Sequence, residues 1–278
     1  INDVVSLTVL TQRIAEDVPQ DRPLSDHDRA QLRHKYRIAP WSCAGGLYGT
    51  RQHVAQQRRL LRRAVGRHGR LLFVDDARVR IVERLVAAAW RRPALRWAAE
   101  RALGASLPVM QSLPHVHGIL QGRPTDYFLK HAYYRHRQPR PLTDVDPARD
   151  ACGLIWFAPV LPCRGEEVET YLRACRARFE QAGFDFYVAM LMTSPRAVVC
   201  LMNINFDRED SAETTRARAL YETLLADMRQ GGYEQYRSGL MGWSGVAGDA
   251  PSAAELNARL KAALDPAGVI APGRYGMG

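Results

Sequence analysis

Apolar and polar positions along the chain switch between a period of two and a helical period, and the switches predict its elements. "VVSLTVL" (4–10) alternates as a strand, "WSCAGGLYGT" (41–50) is strand-like with glycines that allow a bulge or the close approach of another backbone, and "RLLFVDD" (70–76) is a short apolar strand. "PLSDHDRAQLRHKYRI" (23–38) reads as a helix capped by Ser25 or Asp26, and another helix is predicted from Arg51 to Arg67. Residues 77–103 are rich in Ala and Arg with apolar residues at helical spacing, so one or two helices are expected. Between 104 and 150 the period is lost in "SLPHVHGILQGRPTDYFLKHAYYRHRQPRPLTDVDPARD", whose five prolines break any pattern. A segment this long without periodicity predicts a loop, and its aromatic content an ordered one.

Regular order returns at 151. A strand "GLIWFAPVLP" (153–162), a helix (165–182), strands "DFYVAMLMT" (185–193) and "AVVCLMNINF" (197–206), and a helix (211–230) opened by the capping-box-like "DSAE" follow one another. Strand, helix, two strands and helix is the split βαβ arrangement of a ferredoxin-like layer, so the fold class is α+β, an antiparallel sheet with helices on one face. After it comes a helix ended by Asp265-Pro266 and an extended, glycine-punctuated tail, in which the apolar "GVI" (268–270) predicts docking.

Composition narrows the function classes. With 278 residues, 46% hydrophobic and 24% charged, the chain has the make-up of a globular protein. The net charge of +10 invites nucleic acid as a partner, but only three lysines are present and the arginines are spread along the chain. The densest run, "QQRRLLRRAVGRHGR" (56–70), has Leu60, Leu61, Ala64 and Val65 at helical spacing, which predicts an amphipathic helix with a solvated basic face. No nucleic-acid-binding motif accompanies it, and no apolar run approaches the roughly 18 residues of a membrane span. Neither nucleic acid nor membrane is therefore expected as a partner. Five widely spaced cysteines without Cys-x-x-Cys predict reduced, mostly buried thiols. His115 and His117 would share a face if extended, with His131 and His136 nearby, but a zinc site needs a third ligand, and ordinary packed histidines are favoured over a metal. Gly-x-Ser-x-Gly, P-loop and GxGxxG patterns are absent. The opening "INDVVSLTVL" has no basic lead-in or cleavage site and reads as a strand in mid-domain, the later part of something longer.

"EQYRSGLMGW" (234–243) sets Tyr236 beside Arg237 among small and apolar residues. One reading is a surface arginine beside a half-buried tyrosine; the other is a paired donor for an anionic oxygen. Together with "LNARLKAALDPAGVIAPGRYG" (256–276), "CGLIWFAPVLPCRGEEV" (152–168), "GGLYGT" (45–50) and "HGILQGRPTDYFLKHAYYR" (117–135), this stretch resembles the C-terminal half of the vanillyl-alcohol oxidase and p-cresol methylhydroxylase flavoproteins. The resemblance implies a substrate-binding cap domain over 1–235, its start missing, and a C-terminal return segment over 236–278 that meets an FAD-binding domain lying before this chain.

In that family the Tyr-Arg pair binds the substrate's phenolic oxygen as a phenolate, which assigns Tyr236 and Arg237 as catalytic residues. A cation and a donated hydrogen bond both favour the anion, and a phenolate pushes electron density to the para carbon so that hydride can leave for the flavin. The resemblance further implies Arg274 of "APGRYG", with Arg237, near the cofactor. Tyr127, Tyr133, Tyr134 and Arg135 are assigned to the substrate pocket from the composition of their segment. Members with covalent flavin place His or Tyr just before or on the strand matching "PRAVVCLMNI"; Arg196 and Ala197 stand there, so non-covalent FAD is implied. The expected function is the substrate-side part of an FAD-dependent oxidase or dehydrogenase acting on a para-substituted phenol or related alcohol. Its expected partners are an N-terminal FAD-binding segment or chain, the small phenolic or alcohol substrate and a second copy in a homodimer, and its expected location is cytoplasmic. The alternative is a cap-only binding or assembly module, which would have no need of "APGRYG".

Overall fold

A computed structural model describes residues 2–3, 22–103, 106–135, 144–239, 241 and 251–272. Its core is a sandwich of strands and two long helices. The strands β3 (Cys152–Phe157) and β4 (Pro159–Pro162) precede α6 (Gly165–Gln181), which is followed by the hairpin of β5 (Val188–Met192) and β6 (Ala197–Asp207), then by α7 (Ser211–Gln230) and the short β7 (Glu234–Gln235). Every pairing is antiparallel. Across the sheet the order is β5, β6, β4, β7, with β3 continuing the line of β4 along β6. This is the ferredoxin-like order, and the predicted α+β class holds.

β3 and β4 form the single strand expected from "GLIWFAPVLP". Phe157 pairs with Met202 and Val160 with Val199, so the register passes unbroken through the gap between them. Pro159 interrupts the ladder because it has no amide hydrogen to give. Along β6 the even positions Val198, Cys200, Met202, Ile204 and Phe206 face the helices and join Phe157, Leu172, Phe179, Leu220 and Leu224 in one apolar cluster. Burying each of these larger side chains contributes about 1.5–3 kcal/mol, which makes this cluster the main source of cohesion. In α7 the cap is Asp210, whose side chain accepts from the Glu213 amide, but the Glu213 carboxylate accepts from the Asp207 amide rather than closing a box on the cap.

The N-terminal part is more loosely tied. Short strands β1 (Asn2–Asp3) and β2 (Trp41–Ser42) extend the sheet beyond β5. Helix α1 (Asp26–Tyr36) starts at a Ser25 and Asp28 capping box and packs Leu32 and Tyr36 against Tyr134 and Tyr187. Helix α2 (Arg51–Val65) buries no residue, as a solvated basic face requires. Helices α3 (Asp76–Arg91), α4 (Pro93–Leu103) and α5 (Leu107–Leu120) make a separate small core around Val86, Ala89, Leu107 and Met110.

Several expectations are corrected here. The segment 104–150 is not a loop, because it contains α5 and a 3-10 helix (Tyr127–Arg135). Pro108 lies in the first turn of α5, where a missing N–H is harmless, and the break at Pro114 is outweighed by packing of Leu107 and Met110. Among the described residues "RLLFVDD" pairs with no strand, and only Trp41–Ser42 of the 41–50 stretch does. The strand expected at 4–10 lies outside the described residues. The tail after α8 (Pro251–Leu264) turns back through Asp265, whose carboxylate accepts from the Val269 and Ile270 amides, and within this chain both side chains are exposed. Lys261 beside Asp265, with those amides, holds its carboxyl below the usual range. Among the described residues no helix is long and apolar enough to cross a membrane.

Candidate active site

Tyr236 and Arg237 owe their position to the end of the sheet. After α7 the chain reverses at Gly232, whose positive φ of 73° suits glycine, and Tyr233 is fixed by its hydroxyl on Glu167 at 2.7 Å. β7 then pairs Glu234 and Gln235 with Val160 and Pro159, and the Tyr236 amide donates to the Ala158 carbonyl at 2.8 Å. The pair is thus launched beside the Pro159 interruption, two residues along the strand from Trp156. Tyr236 is 61% exposed and Arg237 is exposed, and neither side chain has a polar partner among the described residues. A free phenol and a free guanidinium on adjacent residues can donate to one anionic oxygen.

The four pocket candidates lie together on the 3-10 helix, on the sheet face turned away from α6 and α7. Asn205, at an odd position of β6, accepts from the Tyr187 hydroxyl at 2.9 Å and donates to the His131 carbonyl at 2.8 Å. Three successive side chains of the segment then meet three acids from three parts of the chain. Tyr133 donates to Asp150 at 2.5 Å and accepts from the Asp146 amide. Tyr134 donates to Asp185 at 2.7 Å, and the other oxygen of Asp185 takes the Leu24 amide at 2.6 Å. Arg135 donates through Nε at 3.0 Å and Nη2 at 2.6 Å to Glu213, which is fully buried.

Burial, then Asp150, pushes the Tyr133 phenol up to about 12, and burial lifts Tyr134 well above its ordinary value. These two phenols stay protonated as donors to their carboxylates, and with Arg135 they anchor the segment to the sheet. Tyr127 is placed differently: its ring stacks on His115 at 3.9 Å between centroids, and its hydroxyl has no partner among the described residues. Burial pushes it up to about 12 as well. No hydrogen bond or ring contact among the described residues joins this segment to Tyr236 or Arg237. On the same sheet face Trp156 and Leu191 are exposed, whereas Val199, the partner of Leu191, is buried.

Arg274 lies outside the described residues. Arg196 is exposed in the β5–β6 turn, and Ala197 opens β6. The two-apart histidines of α5 do not share a face: the helix sets them about 200° apart, with His115 on Tyr127 and His117 at 3.6 Å from Asp76. Among the described residues no three His, Cys, Asp or Glu are grouped to hold a metal. The residues that reading the sequence missed are the acids Asp150, Asp185 and Glu213 and the amide of Asn205. No local pattern announces them, since their partners are far away in the chain.

Fold and site together define an α+β protein with a ferredoxin-like sheet and, at its edge, a phenol–guanidinium couple unpaired among the described residues. No protein-family model matches the chain. It is 29% identical over 276 residues to the 1'-carboxy-chondrochloren decarboxylase of Chondromyces crocatus, a match to 99% of this chain and 49% of that protein. Over 130 residues it is 33% identical to the 4-cresol dehydrogenase [hydroxylating] flavoprotein subunit of Pseudomonas putida, 46% of this chain and 25% of that one. The fold superposes on p-cresol methylhydroxylase with substrate bound at a TM-score of 0.73 and 20% identity, over 100% of this chain and 46% of the other. The resemblance read from the sequence is borne out: the chain is a homologue of part of these proteins, and its matches span about half of the first curated relative and a quarter of the second.

Proposed function

We propose that the chain is the substrate-side part of an FAD-dependent oxidoreductase that oxidises a para-substituted phenol or related alcohol, with residues 1–235 as the cap and 236–278 as the segment that meets the flavin-binding part. The observation that carries this reading is the anchored Tyr236–Arg237 couple, unpaired among the described residues, near the exposed Trp156. Flavin, when bound, supplies the hydride acceptor at N5. This chain's residues do the rest: Arg237 and the Tyr236 hydroxyl hold the substrate oxygen as its phenolate, and the face around Trp156 covers the ring and excludes water. Arg237, and Arg274 by its motif, suit a group with anionic oxygens. The exposed Leu256, Leu260 and Leu264, at four-residue intervals on α8, form the stripe that a flavin-binding part would cover.

The test is made on the intact flavoprotein that contains this chain. Arg237→Ala is expected to lower kcat/KM for a para-alkyl phenol by about 100-fold or more, as removal of one oxyanion donor does, while leaving the melting temperature in place. Parallel loss of stability and activity, or an intact protein without flavin, would sink the reading. With neither His nor Tyr at 196–197, the flavin should pass into the filtrate when the protein is denatured. A second reading, in which the activated phenol loses a carboxyl group, is favoured by the decarboxylase that matches over 99% of this chain. Carbon dioxide release from a carboxylated phenolic substrate separates the two.

A further inference from the structure

A cleft of about 580 Å³ lies between α2, α5 and the two extended stretches 43–48 and 72–76, and none of the candidate active-site residues lines it. Its walls are apolar, formed by Leu47, Val54, Leu72, Phe73, Leu113 and Val116. That volume is in the range of small-molecule sites, roughly 300–1,000 Å³.

The polar groups of the lining are almost all satisfied within the wall. The Tyr48 hydroxyl donates to the Leu120 carbonyl, Asp75 caps α3 on the Arg78 amide, and Asp76 takes Gln121 at 2.8 Å with His117 beside it. Arg58 differs. Its Nε is shut off from solvent and has no hydrogen-bond partner, and the guanidinium makes no ion pair among the described residues. It lies 4.7 Å from the centre of the Phe73 ring. A desolvated guanidinium donor without an acceptor is unfavourable unless something supplies one.

We infer that this cleft binds a small apolar monocarboxylate, its carboxylate on Arg58 and its hydrocarbon or aryl body against Phe73, Leu113 and Val116. Arg58, the arginine of the lining, makes no ion pair among the described residues and so selects one anionic group, and the apolar walls select the rest of the ligand. A neutral analogue would bury its body equally well but leave Arg58 as it is.

Isothermal titration of the purified protein with 3-phenylpropionate, and with 3-phenylpropionamide as the neutral control, tests this without reference to flavin or turnover. The acid should bind at one saturable site, and the amide about tenfold or more weakly, the worth of a charge-assisted hydrogen bond. Arg58→Met should erase the difference between acid and amide, Arg58→Lys should restore part of it, and Val116→Trp should abolish binding of both by filling the cleft. Because α2 buries no residue, Arg58→Met is expected to fold, and it decides the matter even if Val116→Trp does not. Equal affinity for acid and amide, undiminished binding in Arg58→Met, or no saturable binding would overturn the inference.

Discussion

Replacing Glu213 by Gln tests whether the 3-10 helix is held by charge or only by packing. Glu213 is fully buried, accepts two hydrogen bonds from Arg135 at 2.6 and 3.0 Å, and takes the Asp207 amide on its other oxygen at 3.1 Å. Gln keeps the shape and an acceptor for Asp207, so the main change is a buried guanidinium left without its anion. Removing one partner of such a pair costs about 3–5 kcal/mol. With a urea m-value of about 2 kcal/mol/M, the unfolding midpoint should fall by about 1.5–2.5 M. Arg135→Met alone leaves the carboxylate buried and unpaired and should cost a similar amount. The double variant leaves no charge behind, so it should cost less than the sum of the singles by about 2 kcal/mol or more. Hydrogen exchange at 127–135 should accelerate in both single variants before the rest of the sheet opens. The reasoning fails if the two single effects add within about 0.5 kcal/mol, which is the behaviour of independent sites.

On the proposed reading, Tyr236→Phe removes one donor to the substrate oxygen and should lower kcat/KM for phenols by about 10- to 100-fold, with unchanged unfolding in urea. Leu260→Asp on α8 should leave the chain's own stability within about 0.5 kcal/mol, since the side chain is half exposed, but prevent association with a flavin-binding part in a pull-down of the separately expressed halves. Burial holds His131 below the usual imidazole range, and burial with Lys130 does the same to His115. The unfolded chain then binds protons first as the pH falls through about 6.5, so stability is full above that value and declines below it. A urea midpoint lower at pH 5 than at pH 7.5, with a smaller difference in His131→Gln, is the expected result; a midpoint that rises on acidification contradicts it.

What could be read from the sequence was whatever a single segment decides by its own periodicity. The even positions of 198–206 and the helical spacing of 165–181 and 211–230 each have one apolar side with one place to go, so sheet and helices followed. "RLLFVDD" is equally apolar and failed as a strand because no strand among the described residues pairs with it; Phe73 is met by the Arg58 and Arg62 guanidiniums instead. The prolines of 104–120 misled in the opposite direction, because the strength of a helix-breaking residue depends on its place in the turn and on the packing around it. The acids that fix 133–135 lie 17, 51 and 78 residues from their partners, and no local period reports a pairing at such separations.

The spread of arginines along the chain hides a division of charge. Residues 22–103 contain 19 Arg and Lys against 6 Asp and Glu, whereas 144–239 contain 11 against 15. The basic character therefore belongs to the outer helices, and the sheet unit bearing the candidate site is slightly acidic. An anionic oxygen at Tyr236 gains little from any arginine beyond a Debye length of about 8–10 Å, since such charges are largely screened at physiological salt. Arg237 must then act locally, through contact and a donated hydrogen bond. Its removal should be costly at any ionic strength, whereas reversing the charge of Arg59 or Arg63 on α2 should leave phenol oxidation unaffected. That contrast separates a built oxyanion site from a merely basic protein.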